Sequence, residues 1–134
     1  MFQNCSMPGM DFGFPDTCMT PGIIAGAPGP LPYPNMAVHA MAIPSQFKML
    51  IMCMPAHNIA TIIPASMGDQ PGCSPGGVVS GIFMGPSLNT KCSVKVLEGG
   101  MPATRMLDTD QQNLTNSPPG MSLVPGQFKV LTLT

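Results

Sequence analysis

The sequence predicts a small all-β fold in which three similar strands are repeated. Residues 48–56 read KMLIMCMPA and residues 95–103 read KVLEGGMPA, so five of nine positions coincide at an offset of 47. A third copy of the opening appears when QFKML at residues 46–50 returns as QFKVL at residues 127–131. Seventeen Pro and fifteen Gly interrupt the chain, which favours short strands and turns over helices. Coincidence in a Met- and Pro-rich chain is the alternative explanation of the repeat.

The repeated strands, near residues 46–52, 93–98 and 127–133, each present alternate side chains to two faces. We expect one face to form a common core, made of Phe47, Met49, Ile51, Val94, Val96, Phe128 and Val130. The opposite face carries Lys48, Lys95 and Lys129 together with Leu50, Leu97 and Leu131. If a rotation of about 120° relates the copies, these residues form rings that suit docking on a trimeric partner. A solvated lysine face is the simpler alternative.

The length of 134 residues predicts one domain that spans the whole chain. Residues 1–35 have the least regular pattern, and their Pro- and Gly-rich sequence predicts an extended, polyproline-like segment. Residues 36–134 are expected to form the repeated-strand body.

The composition restricts the classes of partner. Charged residues make up 8% of the chain, whereas an ordinary soluble surface carries ~25–35%, so we expect a protein partner to cover part of this one. Four Lys and one Arg are too scattered to bind nucleic acid. No apolar run is long enough for a membrane span, and the N-terminus lacks a secretory signal. Five Cys in such a chain are expected to be free thiols in a reducing cytosol.

Three segments resemble the PAAR-like family, the tip proteins of contractile injection machines and chiefly of bacterial type VI secretion. They are PDTCMTPGIIAGAPGPLPYPNMA, GCSPGGVVSG and KVLEGGMPATRMLDTD, and the resemblance runs from about residue 14 to the C-terminus. It implies a squat, β-rich pyramid whose three-fold-like base binds the blunt end of a trimeric β-helical spike, the VgrG protein. It also implies a toxin or effector cargo, which we expect to be a separate molecule.

The resemblance further implies one structural zinc, held near the point of the pyramid by His and Cys. Cys18 and Cys73 occupy places where the family supplies ligands, but an expected His is replaced by the stretch at residues 111–113. His39 and His57, the two histidines of the chain, would complete a set of four. Buried free Cys and structural His are the alternative.

The motifs of catalysis are absent from the sequence, which contains neither a Gly-x-Ser-x-Gly elbow nor a P-loop. The sequence therefore predicts a non-enzymatic tip protein that caps a VgrG-type spike. We expect it in the bacterial cytoplasm before firing and exported by the type VI machine without a signal peptide. Three alternatives remain: an adaptor that recruits an effector or its chaperone, a small metal-dependent hydrolase, and a structural protein of a phage baseplate.

Overall fold

The computed structural model describes residues 1–43 and 46–134, and in these residues the chain is almost entirely β. The strands are β1 (Met10–Ile24), β2 (Ala27–Val38), β3 (Gln46–Ile51), β4 (Met54–Ala56), β5 (Ile62–Ile63), β6 (Ser66–Met67), β7 (Ser87–Asn89), β8 (Leu97–Glu98), β9 (Met101–Pro102), β10 (Thr109–Gln111) and β11 (Gly120–Val124). A single turn of 3-10 helix covers His39–Met41. The predicted all-β class is confirmed. The described residues contain no helix of the length and apolarity that a membrane crossing needs.

Seven strands form one antiparallel sheet in the order β5-β7-β10-β11-β1-β2-β6. Its longest strands are β1 and β2, which form a hairpin whose two-residue turn places Ala25 and Gly26 at φ 47° and 87°. Positive φ at both positions is typical of a type I′ turn, which matches the natural twist of paired strands. The prediction of an irregular segment over residues 1–35 is therefore wrong, because this segment contributes the longest strands of the sheet.

Prolines in β2 are compatible with a strand because they occupy every second position. Pro28, Pro30, Pro32 and Pro34 are all exposed, while the alternate residues from Gly29 to Asn35 are buried or half-buried. Proline has no N–H, so the donors of this strand come from the alternate residues, which pair with β1. The second neighbour of β2 is β6, which pairs only at Met36 and Ala37, beyond the last proline. The polyproline-like segment predicted from the sequence did not include this alternation of exposed prolines with buried residues.

Two small hairpins contain the repeated motif. β3 pairs with β4 through Leu50 and Pro55, and β8 pairs with β9 through Leu97 and Pro102. Both turns have two residues at positive φ, which are Met52 and Cys53 in the first hairpin and two glycines in the second. The third copy forms no hairpin of its own. It pairs instead with the N-terminal segment: Phe2 pairs with Leu131, and the N–H of Gln3 donates to the carbonyl of Val130.

An approximate three-fold axis passes between these three units, and the backbone hydrogen bonds define it. The N–H of Asn4 donates to the carbonyl of Thr104 (3.1 Å), that of Thr104 to His57 (3.2 Å), and that of His57 to Asn4 (3.1 Å). Each of the three residues follows the paired strand of its own unit, so the cycle closes on itself. A second cycle surrounds the first, formed by the pairs Ser6 to Pro55, Ile59 to Pro102 and Met106 to Phe2. One chain thus imitates the symmetry of a trimer.

The predicted common core is wrong for four of its seven members. Phe47, Met49, Val94 and Phe128 are exposed, while Ile51 is buried and Val96 and Val130 are half-buried. The reason is that strict alternation does not extend through the copies: the register of β3 shifts between Gln46 and Leu50, β8 begins only at Leu97, and the third copy forms a single bridge. Phe47 and Met49 lie in the irregular part of β3, between the paired residues Gln46 and Leu50. Val94 and Phe128 lie outside the strands, where period-two alternation does not apply.

Polar side chains fill most of the interior. Among the described residues, buried polar side chains outnumber buried apolar ones, which form two small clusters. The first cluster contains Cys5, Ile51 and Ala56, and the second contains Ala37, Ala42 and Ile63. A buried polar group destabilises the fold unless it has a hydrogen-bond partner. The interior is therefore specified by matched donors and acceptors more than by apolar packing.

Candidate functional site

We call the residues at the three repeat positions that are exposed in every copy the base: Phe47, Val94 and Phe128, Lys48, Lys95 and Lys129, and Leu50, Leu97 and Leu131. Equivalent positions have similar exposure, at 60%, 60% and 55% for the three leucines. At a second equivalent position, Phe47, Val94 and Phe128 are exposed at 75%, 89% and 71%. All three lysines are exposed as well. The docking residues predicted from the sequence are therefore on the surface, at related positions around the three-fold axis.

A polar side chain at the start of each repeat holds the backbone of the base in place. The side-chain oxygen of Gln127 accepts from the N–H groups of Lys129 and Val130, both at 2.7 Å. In the first repeat Gln46 accepts from the N–H of Lys48 at 3.3 Å. In the second repeat the hydroxyl of Ser93 accepts from the N–H of Val96 at 3.2 Å. Each loop of the base is thus fixed by its own side chain, which lowers the entropy lost when a partner binds.

The Cys18 cluster is the second candidate site, and it is buried in the interior of the protein. It consists of Asp16, Cys18 and Asp69, which are fully buried, and of three asparagines that surround them, Asn35, Asn113 and Asn116. The Cys18 Sγ lies 3.8 Å from an oxygen of Asp16 and 3.7 Å from an oxygen of Asp69. Five separate chain segments meet here, since β1, β2, the turn after β6 and the loop between β10 and β11 each contribute, and Met84 adds a backbone N–H.

Each carboxylate oxygen of the Cys18 cluster accepts a hydrogen bond from a neutral donor. Asn35 Nδ2 donates to Asp16 at 2.7 Å, and Asn116 Nδ2 donates to the other oxygen of Asp16. Asn113 Nδ2 donates to Asp69 at 2.8 Å, and the N–H of Met84 donates to both oxygens of Asp69. Two buried carboxylates are thereby compensated without a basic side chain.

The orientation of two of these amides is fixed by the backbone behind them. Asn113 Oδ1 accepts from the N–H of Gly85 at 2.9 Å, and Asn116 Oδ1 accepts from the N–H of Val79 at 2.8 Å. A flipped amide would place an N–H against each of these N–H donors. The NH2 groups of Asn113 and Asn116 therefore face the cluster, at 3.7 and 3.8 Å from the Cys18 Sγ.

Burial keeps the thiol of this cluster protonated. Desolvation, together with the nearby charges of Asp16 and Asp69, raises the pKa of Cys18 to about 12. Burial also raises the pKa of Asp69, although the hydrogen bond from Met84 opposes the shift. The thiol of Cys18 is thus protonated rather than a thiolate, and its single S–H donates to one of the two carboxylates.

The four ligands predicted for zinc are not brought together in the structure. Cys18 lies in the cluster just described, His39 and His57 lie in a separate one, and Cys73 is exposed. Among the described residues, a group of three potential ligands with mutually close donor atoms is formed by Asp16, Cys18 and Asp69. A structural zinc is usually held by four ligands with free lone pairs, such as Cys thiolates and His nitrogens. The Cys18 cluster offers amide N–H groups where further ligands would stand, so its residues do not fit that metal.

Sequence reasoning reached part of this site. The stretch at residues 111–113, noted for lacking an expected histidine, does contact Cys18 through Asn113. Asp16 lies two positions before Cys18 on β1, within the first of the three segments that resemble the family. Asp69 and Asn116 were missed, because an isolated Asp or Asn in a loop gives no spacing signal. Asn35 lies on β2, within the first of the three segments that resemble the family, and a single Asn in a strand gives no such signal either. Their alignment depends on the long-range pairing of the sheet.

We expect the purified protein to contain far less than one zinc per chain, on the order of 0.1 or below, because amide N–H groups cannot replace lone-pair ligands. Metal content by inductively coupled plasma mass spectrometry, after expression in zinc-supplemented medium, measures this directly. EDTA should leave the melting temperature unchanged. One equivalent of zinc per chain, with a lower melting temperature after chelation, would contradict the fit described above.

The two histidines form a buried cluster close to the three-fold axis. His39 Nε2 lies 2.7 Å from an oxygen of Asp11, and His57 Nε2 lies 3.0 Å from the hydroxyl of Ser6. The two rings meet edge to face, with centroids 5.6 Å apart. Burial and the neighbouring His39 lower the pKa of His57 to about 3. His57 is thus neutral at physiological pH, and both rings serve the packing around the axis.

Comparison with protein families supports the resemblance found in the sequence. The model described as the toxin PAAR-like domain matches residues 9–119, which include β1 to β10 and the Cys18 cluster. Curated proteins and solved structures gave no match to the chain. The matched region covers most of the chain, and the all-β fold agrees with it. The chain therefore belongs to the toxin PAAR-like domain family.

Proposed function

We propose that this protein is a non-enzymatic tip that caps a trimeric, VgrG-type spike of a type VI secretion system. The observation that carries the proposal is the closed cycle of backbone hydrogen bonds joining Asn4, His57 and Thr104. A three-fold surface can make equivalent contacts with three identical subunits. Membership of the toxin PAAR-like domain family supports the same context.

The chemistry of the base suits a protein partner. Each repeat presents one leucine and one further apolar side chain, which is Phe47, Val94 or Phe128, and all six are exposed in the free chain. Exposed apolar surface of this extent is typical of an interaction site. Covering it contributes on the order of 1 kcal/mol or more for each side chain. The loops that carry these residues are already fixed by Gln46, Ser93 and Gln127, so little order has to be gained on binding.

The build of the chain is consistent with a mechanical role at the end of a spike. Regular prolines stiffen β2, and the hydrogen-bonded interior allows few alternative arrangements. We further propose that the protein resides in the bacterial cytoplasm before firing, leaves with the spike, and helps the spike to puncture a membrane and deliver effectors.

Replacing the three leucines of the base tests this function. The variant Leu50→Asn/Leu97→Asn/Leu131→Asn should weaken binding to the trimeric spike protein of the same genome by at least about 100-fold, since three apolar contacts are lost. Size-exclusion chromatography with native mass spectrometry should show one wild-type chain per spike trimer. Failure of the wild-type chain to bind the spike would overturn the proposal.

The matched control removes apolar surface elsewhere. Phe12 and Met36 are each 37% exposed and pair with each other across β1 and β2, which belong to the large sheet and not to the hairpins of the repeats. The variant Phe12→Ser/Met36→Ser should therefore keep its affinity for the spike. Equal loss in both variants would indicate a general effect on folding.

The same part of the large sheet favours a second candidate function, the recruitment of an effector or its chaperone. Met67, Met36, Phe12 and Met121 are in register across β6, β2, β1 and β11, and all four are exposed. Methionine is common on binding surfaces that accept different partners. If the protein is mainly an adaptor, the Phe12→Ser/Met36→Ser variant should lose effector export while it still binds the spike.

A further inference from the structure

The charges of this chain are divided between its interior and its surface. Its six acidic side chains, Asp11, Asp16, Asp69, Glu98, Asp108 and Asp110, all lie in the described residues and are at most 3% exposed. The four lysines are all exposed, and Arg105 is half-buried against Asp108. The formal net charge of the chain is −1, but the charged side chains at its surface are positive.

Three of the four lysines lie on the base. Lys48, Lys95 and Lys129 occupy the same position in the three repeats, two residues after the side chain that fixes each loop. The fourth, Lys91, lies outside the repeated positions, with its N–H bonded to the carbonyl of Thr109. Each base lysine is followed two residues later by an exposed leucine. The base thus combines a positive ring with an apolar one.

We infer that the spike end bound by this base presents one carboxylate per subunit, placed beside an apolar contact. This inference rests on the proposed function. An ammonium group that is covered without a partner loses its hydration at a cost of several kcal/mol. No side-chain carboxylate of this chain relieves that cost at the base, because all six are buried. A carboxylate from each spike subunit pairs with one lysine, so the three-fold arrangement of charge matches that of the leucines.

Charge reversal and salt dependence test the inference on the same spike protein. In surface plasmon resonance, the wild-type association rate should fall about 10-fold between 50 and 500 mM NaCl, since opposite charges attract less in salt. The variant Lys48→Glu/Lys95→Glu/Lys129→Glu should associate about 10- to 100-fold more slowly at 50 mM NaCl. The matched variant Lys91→Glu should stay within about 2-fold of wild type, because its charge lies outside the ring.

The outcomes separate the two claims. Wild-type binding that is insensitive to salt, together with normal binding of the triple reversal, would overturn the acidic partner while leaving the docking proposal intact. A wild-type chain that does not bind the spike overturns the proposed function and this inference with it. The salt series needs no variant, so it remains decisive even if the triple reversal folds poorly, which circular dichroism would reveal.

Discussion

Replacing Glu98 by glutamine should stabilise the protein by about 3 kcal/mol at pH 8 and by less than about 0.5 kcal/mol at pH 4. Glu98 is the most isolated carboxylate of the chain, because it is 1% exposed and neither of its oxygens has a hydrogen-bond partner among the described residues. Burial raises its pKa from the ordinary value of 4.5 to about 7. Glutamine has the same shape and no charge to bury.

The direction of this pH effect follows from the raised pKa. Between pH 4.5 and 7 the folded chain holds a proton on Glu98 that the unfolded chain releases. The contribution of Glu98 to stability is therefore fully present below pH 4.5, and it is lost as the pH rises towards 7. Above pH 7 the folded chain must bury an unpaired negative charge. The difference between the two pKa values corresponds to about 3 kcal/mol.

Chemical denaturation of the wild type and the variant, at a series of pH values from 4 to 8, measures the effect. Asp110, whose pKa is raised to about 6 by burial, and His57, whose pKa is lowered, also change stability with pH. These groups are the same in both chains, so the difference between the two curves isolates Glu98. A constant difference across the series would show that Glu98 does not titrate as its burial requires.

Comparison of the repeats shows that Glu98 occupies a position at which the first repeat has an apolar residue. Its equivalent in the first repeat is Ile51, which packs in the apolar cluster with Cys5 and Ala56. The raised pKa of Cys5 has burial as its main cause, and the charge of Glu98 adds to it. A second variant, Glu98→Ile, restores the residue of the first repeat and should be at least as stable as Glu98→Gln at pH 8.

The repeat was readable in the sequence because it is local. Nine residues at a fixed offset preserve the hairpin, and the order of Lys and Leu within it predicted the exposed residues of the base correctly. What failed was the assignment of Phe47, Met49, Val94 and Phe128 to a core. Alternation separates two faces only where a strand is regularly paired, and residues on both faces of the first copy are exposed. That these 134 residues form one domain stays a prediction.

The Cys18 cluster was harder to predict because its members are distant in sequence. Asn113 lies 95 residues from Cys18, and Asp69 lies 51 residues from it. Their meeting depends on strand order in the large sheet, which composition and spacing do not determine. The N-terminal hairpin was missed for a related reason. Its prolines argue against a central strand until the partner strand shows that they occupy alternate positions.

The largest loss of stability should come from Asn113→Asp, at more than about 3 kcal/mol at pH 8. The new carboxylate still accepts the hydrogen bond from the N–H of Gly85, but it replaces a donor that faces Asp69 at 2.8 Å. Two buried carboxylates then face each other with one N–H group fewer between them. Like charges at such a distance cannot both ionise without a large cost in free energy.

Acid should rescue this variant, and the comparison with Asn113→Ala shows why. Alanine removes the donor to Asp69 without adding a charge, although it also loses the acceptor for Gly85 and must adopt φ near 50°, which asparagine tolerates better. At pH 8 we expect Asn113→Asp to be the less stable of the two. Towards pH 4 the pair of carboxylates takes up a proton and forms the missing hydrogen bond, so Asn113→Asp should regain stability relative to Asn113→Ala. Denaturation curves for both variants at the two pH values test this order. If the relative stability of the two variants did not change with pH, Asn113 would act only through the conformation of its loop. Its amide would then not compensate the negative charge of Asp69 beside Cys18.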